Sequence, residues 1–481
     1  MKENELKPGL SLFDAVTIVA GSMIGSGIFI VSADIARQTG SPAGLLAVWS
    51  ISGLMTVAGA LSYGELAAMM PQAGGQYVFL REAYGATLAF CFGWTLLLVI
   101  QTGTIAAVAV AFARFCAVIF PLLGSHILGS AGIFGLSGER LTAICVIGAL
   151  TMVNLRGLNL GRIVQNVFTS AKVFSLLFII IGCAVLPNPP AIRANLANVE
   201  NFLGAHQWSF QKLVAFGAAM VGALFSADAW GNVTFTAAEV RDPRRNLPRA
   251  LAIGTSLVIC LYLLTNVAYM FELPVVGTGA SAGTPATIFS AGIAGAASDR
   301  VATAAMQVVW GKTGAFITAI LVMISTFGCA NGLILTGARV MYAMARDGVF
   351  LARAGHLNKA AVPAFALILQ AVWSSLLTLS GSYSQLLDYV IFAQLIFYVL
   401  TVGTVFVLRV KCPHTPRPYR VWGYPWLPAG YILASLVLMT DLLVVKPRYT
   451  WPGLLIALSG IPVYWLTQRR TIYAGMLANP K

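Results

Sequence analysis

Charged residues are scarce in this chain of 481 residues. Asp, Glu, Lys and Arg together make up 10% of it, while 58% of its residues are hydrophobic. A soluble domain is typically about 25% charged and about 45–50% apolar. So few charges cannot cover the surface of a water-soluble fold, and the composition therefore excludes a soluble globular protein.

The sequence also lacks the patterns of metal, redox and cofactor sites. Its four histidines are scattered, and none of its seven cysteines forms a Cys-x-x-Cys pair. We interpret the cysteines as small packing residues and expect no metal and no cofactor. The polar start Met1–Gly9 leads into an apolar run without an Ala-x-Ala cleavage site, which predicts a retained first span rather than a cleaved signal.

Long apolar runs are what the sequence has in abundance. A membrane-spanning helix needs roughly 20 apolar residues, and the chain predicts about twelve such helices in an all-α fold. The predicted spans, numbered helix 1 to helix 12, are Leu12–Ala36, Gly44–Met69, Thr87–Phe115, Arg140–Val153, Ile163–Leu186, Leu213–Ala238, Ala250–Phe271, Gly314–Ala345, Ala364–Leu379, Leu386–Val410, Leu427–Val445 and Pro452–Leu466. The Ala- and Gly-rich tract Thr284–Trp310 is expected to be a partly helical outer loop.

The distribution of positive charge predicts the orientation. With the N-terminus in the cytoplasm, 20 of the 30 Lys and Arg residues fall on the inner side, 9 on the outer side, and Lys172 alone in the middle of a span. The positive-inside rule then places both termini in the cytoplasm of an inner or plasma membrane. The net charge of +14 lies in short loops and not on one face, so it does not indicate nucleic acid binding.

The first helix contains an unusual run of small residues. Gly21-Ser22-Met23-Ile24-Gly25-Ser26-Gly27 has three glycines and two serines in seven positions at mid-membrane depth. Such residues form helices poorly. One interpretation is a close helix–helix contact, because small residues recur four apart. The other is a break that exposes backbone groups to a ligand.

A second interrupted segment lies about 200 residues further on. Helix 6 contains Phe225-Ser226-Ala227-Asp228-Ala229-Trp230-Gly231, with a carboxylate at its centre. Paired interruptions in two halves indicate an inverted-repeat transporter that binds its substrate at the midplane. We therefore expect a first repeat at 1–190, a second at 207–410, and two further helices with the cytoplasmic tail at 411–481.

Two broken helices suit a zwitterionic substrate. The free amides of Ser26 and Gly27 begin the second half of helix 1 and can bind a carboxylate. The carbonyls that end the first halves of both helices can bind an ammonium group; they belong to Ser22, Met23, Phe225 and Ser226. An amino acid carries both charges on one carbon, so amino acid transport is the predicted function.

These motifs resemble the amino acid–polyamine–organocation superfamily and, within it, the L-type amino acid transporters. The matching stretches are Gly25–Phe29, Tyr63–Leu66 with Pro71, Gly74, Gly75 and Tyr77, then Phe225–Trp230 with Glu239 and Asn246–Pro248, Phe327-Gly328 with Asn331-Gly332, and Arg417–Tyr419. The resemblance implies a leucine-transporter-type fold with five plus five helices and two more. It also implies substrate binding by the helix 1 segment including Ile24 and Gly25, closure by Phe225, and further contacts from Trp230 and Asn331.

The resemblance also concerns the ion dependence. Lys172 lies where sodium-coupled relatives of this fold hold a cation, and its ammonium group would tie helix 1 to helix 8 at Ser325. This implies sodium-independent transport. From the residues alone, Lys172 could instead snorkel or pair with a carboxylate.

Asp228 departs from many L-type transporters, which resemble this stretch but carry a small residue at that position. Members with an aspartate there accept cationic substrates. We therefore expect an exchanger of small neutral and cationic amino acids. The alternative is structural: Asp228 pairs with Lys172 or caps the broken helix.

Other classes of function are less well matched. A proton-coupled amino acid or polyamine symporter of the same fold stays open, as does a membrane sensor of solutes. No catalytic cluster indicates an enzyme, and no filter repeat indicates a channel. Family members with a glycoprotein subunit share a cysteine between helices 3 and 4. The loop Phe120–Glu139 has none, so no disulfide-linked heavy chain is expected.

Overall fold

The computed structural model describes residues 8–124, 127–131, 134–198, 210–277, 287–380, 383–445 and 447–478, and these are overwhelmingly helical. The helices, in the order predicted from the sequence, span Leu12–Met23 continued by Gly27–Ile30 and Ser32–Thr39 (helix 1), Pro42–Met69, Ala86–Ile119, Gly138–Leu155, Leu158–Val185, Phe210–Ser226 continued by Trp230–Glu239 (helix 6), Pro243–Glu272, Val301–Arg346, Ala364–Ser380, Tyr383–Lys411, Trp426–Val445 and Pro447–Ala478.

The multi-pass helical fold predicted from the apolar runs is confirmed. Among the described residues, ten helices are long and apolar enough to cross a membrane, and Ala364–Leu379 forms a shorter apolar helix. The twelfth predicted span lies within the helix Pro447–Ala478. A short hairpin of Ile127–Ala131 and Phe134–Ser137 adds a small sheet that the predicted all-α fold did not include.

Local sequence signals explain several helix ends. Ser11 and Asp14 form a capping box at the start of helix 1, which satisfies amides that have no partner within the helix. Ser41 caps helix 2, where Pro42 occupies the first turn. At that position a missing N–H costs nothing.

Burial divides the helices into a central and a peripheral set. In helices 1 and 3, 89% of the residues in the most apolar stretch of 18 are buried inside the protein, whereas in helix 11 the share is 28%. The peripheral helices expose large apolar side chains such as Leu433 and Val437. In a membrane these side chains contact lipid, so helices 1 and 3 belong to the interior.

The two interruptions predicted in helices 1 and 6 are present. Helix 1 stops at Met23 and resumes at Gly27. Helix 6 stops at Ser226 and resumes at Trp230 as a tight 3₁₀ helix. The first of these segments is thus a break and not merely a packing contact.

Helix 8 starts earlier than the sequence indicated. A turn at Trp310 and Gly311, where Gly311 has a positive φ of 62°, separates a short helical stretch from the membrane span that follows. The tract before this turn also contains the single helical turn Ile288–Ala291. The prediction of a partly helical loop is therefore confirmed for its described residues.

The end of the molecule that carries the N-terminus is tightly closed. The amides of Gly9 and Leu10 donate to the Glu239 carbonyl at 2.8 and 2.9 Å. Glu239 and Arg339 form an ion pair at 3.2 Å, with side chains 1% and 0% exposed. These contacts join the start of helix 1 to the ends of helices 6 and 8.

Candidate functional site

The break in helix 1 leaves carbonyls without their usual helical partners, and side chains from three other helices bind them. Lys172 of helix 5 donates to the Gly21 carbonyl. The Ser325 hydroxyl of helix 8 lies 3.4 and 3.3 Å from the Ile24 and Gly25 carbonyls. Further donors come from Cys329 and Tyr262, as described below. These donors stabilise the break, because a buried carbonyl without a hydrogen-bond donor is costly.

The same break presents amides. In the described part of the chain, the N–H groups of Gly25, Gly27 and Ile28 donate to no acceptor. They lie where the second half of helix 1 begins and its dipole is positive. This geometry suits a carboxylate.

The break in helix 6 is built around Asp228. Ala229 adopts the left-handed conformation with φ of 65°, which turns the chain between the two halves. The Asp228 amide donates to the Phe225 carbonyl at 3.2 Å. The Asp228 carboxylate accepts a hydrogen bond of 2.6 Å from the Tyr398 hydroxyl of helix 10. A negative group is thus fixed at the centre of the membrane-spanning region.

The two breaks face each other. A Cβ atom built on Gly27 would overlap the Ser226 side chain and lie 2.8 Å from the Ser226 Cα. The Tyr262 hydroxyl of helix 7 lies 2.9 Å from the Met23 carbonyl and 3.0 Å from the Ser226 carbonyl. One hydroxyl therefore links the last carbonyls of the first halves of helices 1 and 6.

A small cavity lies between the breaks. Its lining includes Ser22, Met23, Gly25, Ser26, Gly27, Phe225, Ser226 and Asp228. Its volume of about 10 Å³ is close to the minimum for one water molecule. An amino acid is much larger, so the site is closed in this structure and must widen to admit one.

A pair of broken helices around a small cavity is typical of membrane transporters. The match to a known family shows what this transporter carries. The family model described as amino acid permease matches residues 10–467. The chain belongs to this amino acid permease family. It is therefore an amino acid transporter of the membrane.

Relatives resemble this permease over nearly its whole length. The mouse b(0,+)-type amino acid transporter 1 is 30% identical over 97% of this chain and 89% of its own. The human large neutral amino acids transporter small subunit 2 is 32% identical over 96% of this chain and 80% of its own.

Three predicted site residues of the permease lie outside this cavity. The Ile24 carbonyl binds Ser325, and its side chain is buried. Trp230 lines a separate small cavity beside Asp228. Asn331 accepts a hydrogen bond from Asn154 at 2.9 Å and donates to Gln165 at 3.2 Å. Asn331 thus joins helices 4, 5 and 8 and does not line the cavity.

Lys172 makes the predicted contact with helix 1 but neither of the two side-chain contacts that the sequence suggested. In the described structure its ammonium group binds Gly21, and neither Ser325 nor Asp228 is its partner. The predicted direct bond to Ser325 is wrong, because both side chains bind helix 1 separately. The alternative pair with Asp228 is not formed among the described residues either, where Asp228 Oδ1 accepts from the Tyr398 hydroxyl.

Several residues of the site carry no signal in the sequence. Thr104 and Val108 of helix 3 line the cavity. Cys329, which we interpreted as a packing residue, also lines it, and its Sγ lies 3.1 Å from the Ser22 carbonyl. Tyr262 and Tyr398 lie within apolar runs that contain other tyrosines as well, and nothing in the sequence sets them apart. Only the packing of helices 3, 7, 8 and 10 around the breaks identifies them.

Proposed function

We propose that this permease binds its substrate between the two breaks and carries it by alternating access. The amides of Ser26 and Gly27, joined by that of Gly25, hold the carboxylate, and the carbonyls that end the first halves of helices 1 and 6 hold the ammonium group. The observation that carries this proposal is the cavity lined by both breaks. Phe225 lines the same cavity and closes over the substrate.

The closed cavity fits an intermediate of such a cycle. The N-terminal end is sealed by the backbone pairing of Leu10 with the chain after helix 6 and by the buried pair of Glu239 and Arg339. At the other end, Arg37 after the break of helix 1 binds Asp299 at 2.7 Å. Transport requires these two sets of contacts to open in turn, around two repeats at 1–190 and 207–410.

The transport we propose does not depend on sodium. Lys172 is fully buried and places a permanent donor on a carbonyl of the helix 1 break. Ser325 binds two further carbonyls of the same break. Carbonyl and hydroxyl oxygens are the groups that would coordinate a sodium ion at a broken helix. The ammonium group of Lys172 takes the place of that ion.

The substrates we propose are small neutral amino acids and, second, cationic ones. Asp228 lines the cavity and supplies a carboxylate that can attract a cationic side chain. The relatives are named for amino acid transport of the b(0,+) type and for large neutral amino acids, so they support amino acid substrates but not the small size that we propose. Exchange is our preferred mode, with proton-coupled uptake as the alternative.

We further propose that both termini lie in the cytoplasm and that no heavy chain is attached by a disulfide. Cys116, the cysteine nearest to the loop between helices 3 and 4, is 6% exposed and lies within the helix Ala86–Ile119. A buried helical thiol cannot reach a partner protein. A single band of the mass of this chain on a non-reducing gel of freshly prepared membranes is expected.

Uptake into proteoliposomes tests the function. Radiolabelled alanine, and separately arginine, is offered to vesicles that are preloaded with alanine or empty. Each is measured with sodium, with choline in its place, and with or without a proton gradient. We expect fast uptake into preloaded vesicles in every salt. Strict sodium dependence would refute the role of Lys172, and equal rates in empty vesicles would refute exchange. Binding without uptake would favour a sensor.

A further inference from the structure

A second polar cavity is lined by the loop before helix 8 and by the start of that helix, at residues 287–307, and by no residue of the two breaks. Its volume is about 290 Å³, and its polar lining residues are Thr287, Arg300, Thr303 and Gln307. No described residue of its lining is an aspartate or glutamate. Its one formal charge is therefore positive.

The start of helix 8 forms one wall of this cavity and has no cap. Arg300 precedes the helix without a side-chain hydrogen bond to its first turn. Among the described residues, the amides of Val301, Ala302 and Thr303 donate to no acceptor. Free amides and the positive end of the helix dipole together favour an anion.

Two side chains add independent donors. Thr303 is 7% exposed, and its hydroxyl has no hydrogen-bond partner in the described structure. The Arg300 Nε is likewise buried without a partner among the described residues. Both atoms are out of contact with the open space of the cavity in this structure. A buried polar group without a partner costs about 1–3 kcal/mol, which favours a turn of the two side chains toward a ligand that accepts from them.

The surrounding charges leave Arg300 uncompensated. Burial and, to a smaller extent, the nearby positive charge of Arg114 lower the pKa of Arg300. Two carboxylates lie in this region, and each already has a guanidinium partner: Asp299 pairs with Arg37 at 2.7 Å and Glu139 with Arg114 at 3.4 Å. Three guanidinium groups thus share two carboxylates, and a bound anion would balance the charge.

We propose that this cavity, the loop cavity, binds a small monovalent anion, supplied by chloride or by the carboxylate of an amino acid. The anion accepts from Arg300, Thr303 and the first amides of helix 8. The loop also carries Asp299 and the Ala294 carbonyl, which bind Arg37 of the extension of helix 1. Occupancy of the loop cavity therefore stabilises the contacts that close this end of the molecule.

The first test is thermal unfolding of the purified full-length protein in detergent. Chloride and, separately, acetate are titrated at constant ionic strength, with the bulky HEPES anion as the balance. We expect a saturable rise in Tm for the wild type and for Lys312→Gln, which removes an exposed charge of the same helix. Arg300→Gln should weaken the apparent affinity at least tenfold, and Thr303→Val should weaken it several-fold while keeping the shape of the side chain.

The second test identifies the source of the anion. Equilibrium binding of radiolabelled alanine is measured at fixed chloride. Two alanines per chain in the wild type and one in Arg300→Gln would assign the loop cavity to the amino acid, whereas one in both, together with a chloride-dependent Tm, would assign it to chloride. Equal responses of wild type and Arg300→Gln, or no response to any of these ligands, would refute the site. Neither measurement depends on transport.

Discussion

At the scale of single residues, Gly27 matters through contact and not through its backbone angles. It is not among the glycines with a positive φ, but its Cα faces Ser226 so closely that no Cβ fits. Backbone atoms cannot move aside as a flexible side chain can. The closeness of the two breaks therefore depends on a missing methyl group.

Gly27→Ala should reduce alanine uptake at least tenfold. The added methyl group clashes with Ser226 and displaces the amides of helix 1 relative to the carbonyls of helix 6, so the two breaks no longer hold the two charged groups of one substrate. Uptake by proteoliposomes measures this, with Gly148→Ala as the control, since a Cβ there meets no atom within 4 Å. Normal uptake by Gly27→Ala would show that the two breaks do not hold the substrate.

Asp228→Asn should weaken cationic substrates more than small neutral ones. Opposite charges about 4 Å apart attract by about 4 kcal/mol at an effective dielectric near 20. A quarter of that changes affinity about fivefold. Competition of arginine and of alanine against labelled alanine uptake measures the two affinities.

The control for this change is Tyr398→Phe. It removes the hydrogen bond to Asp228 but keeps the carboxylate and the ring that stacks on Trp230 at 4.9 Å. Its effect should be similar for both substrates. Equal losses for arginine and alanine in Asp228→Asn would instead assign Asp228 a purely structural role.

At the scale of the helices, Tyr262 connects three elements through one hydroxyl. Tyr262→Phe removes the one hydroxyl hydrogen that the Met23 and Ser226 carbonyls share, at a cost of about 1–3 kcal/mol in total. We expect a lower Tm and slower uptake. Tyr269→Phe, two turns along the same helix, loses one longer bond of 3.3 Å to Ile28 and should do less. Equal effects would mean that the link between the breaks is unimportant.

The ion pair of Glu239 and Arg339 joins helices 6 and 8 out of contact with solvent. Arg339→Met leaves a buried carboxylate unpaired, which typically costs about 3–5 kcal/mol. A large fall in Tm is therefore expected. Asp34→Asn, which breaks an exposed pair of 3.5 Å with Arg37, should change it little, because exposed pairs contribute about 0–1 kcal/mol.

The double change of Glu239→Gln with Arg339→Met refines this test. It removes both charges, so it should be less damaging to Tm than Arg339→Met alone. An additive loss would indicate that other contacts of Arg339, such as its bond of 2.6 Å to the Leu335 carbonyl, dominate.

At the scale of the whole molecule, the orientation in the membrane is open to a direct test. Cys412 is exposed after helix 10, and Leu122 is 95% exposed after helix 3. In a background without any of the seven native cysteines, an impermeant maleimide should label Leu122→Cys on intact cells. Cys412, restored alone in the same background, should react only after permeabilisation. The reverse pattern would place the termini outside.

Much of the fold follows from the sequence because a membrane imposes simple rules. A lipid-exposed backbone must satisfy its hydrogen bonds within its own helix, so each long apolar run indicates a helix almost regardless of its neighbours. Glycine-rich and aspartate-containing interruptions stand out against that background. This is why the breaks of helices 1 and 6 could be predicted, together with most residues that line the cavity.

The partners of those residues were decided only by the tertiary structure. Lys172 binds Gly21 and Asp228 binds Tyr398, whereas the sequence left open whether the two charges pair with each other. A sequence shows which charges are buried, but not which of several packed helices presents a donor within 3 Å. The contacts of Tyr262 and Cys329 and the loop cavity were likewise decided only by the tertiary structure. Their hydrogen bonds depend on how far each helix is rotated about its axis and how deep it lies in the membrane. An apolar run long enough to span the membrane fixes neither the rotation nor the depth.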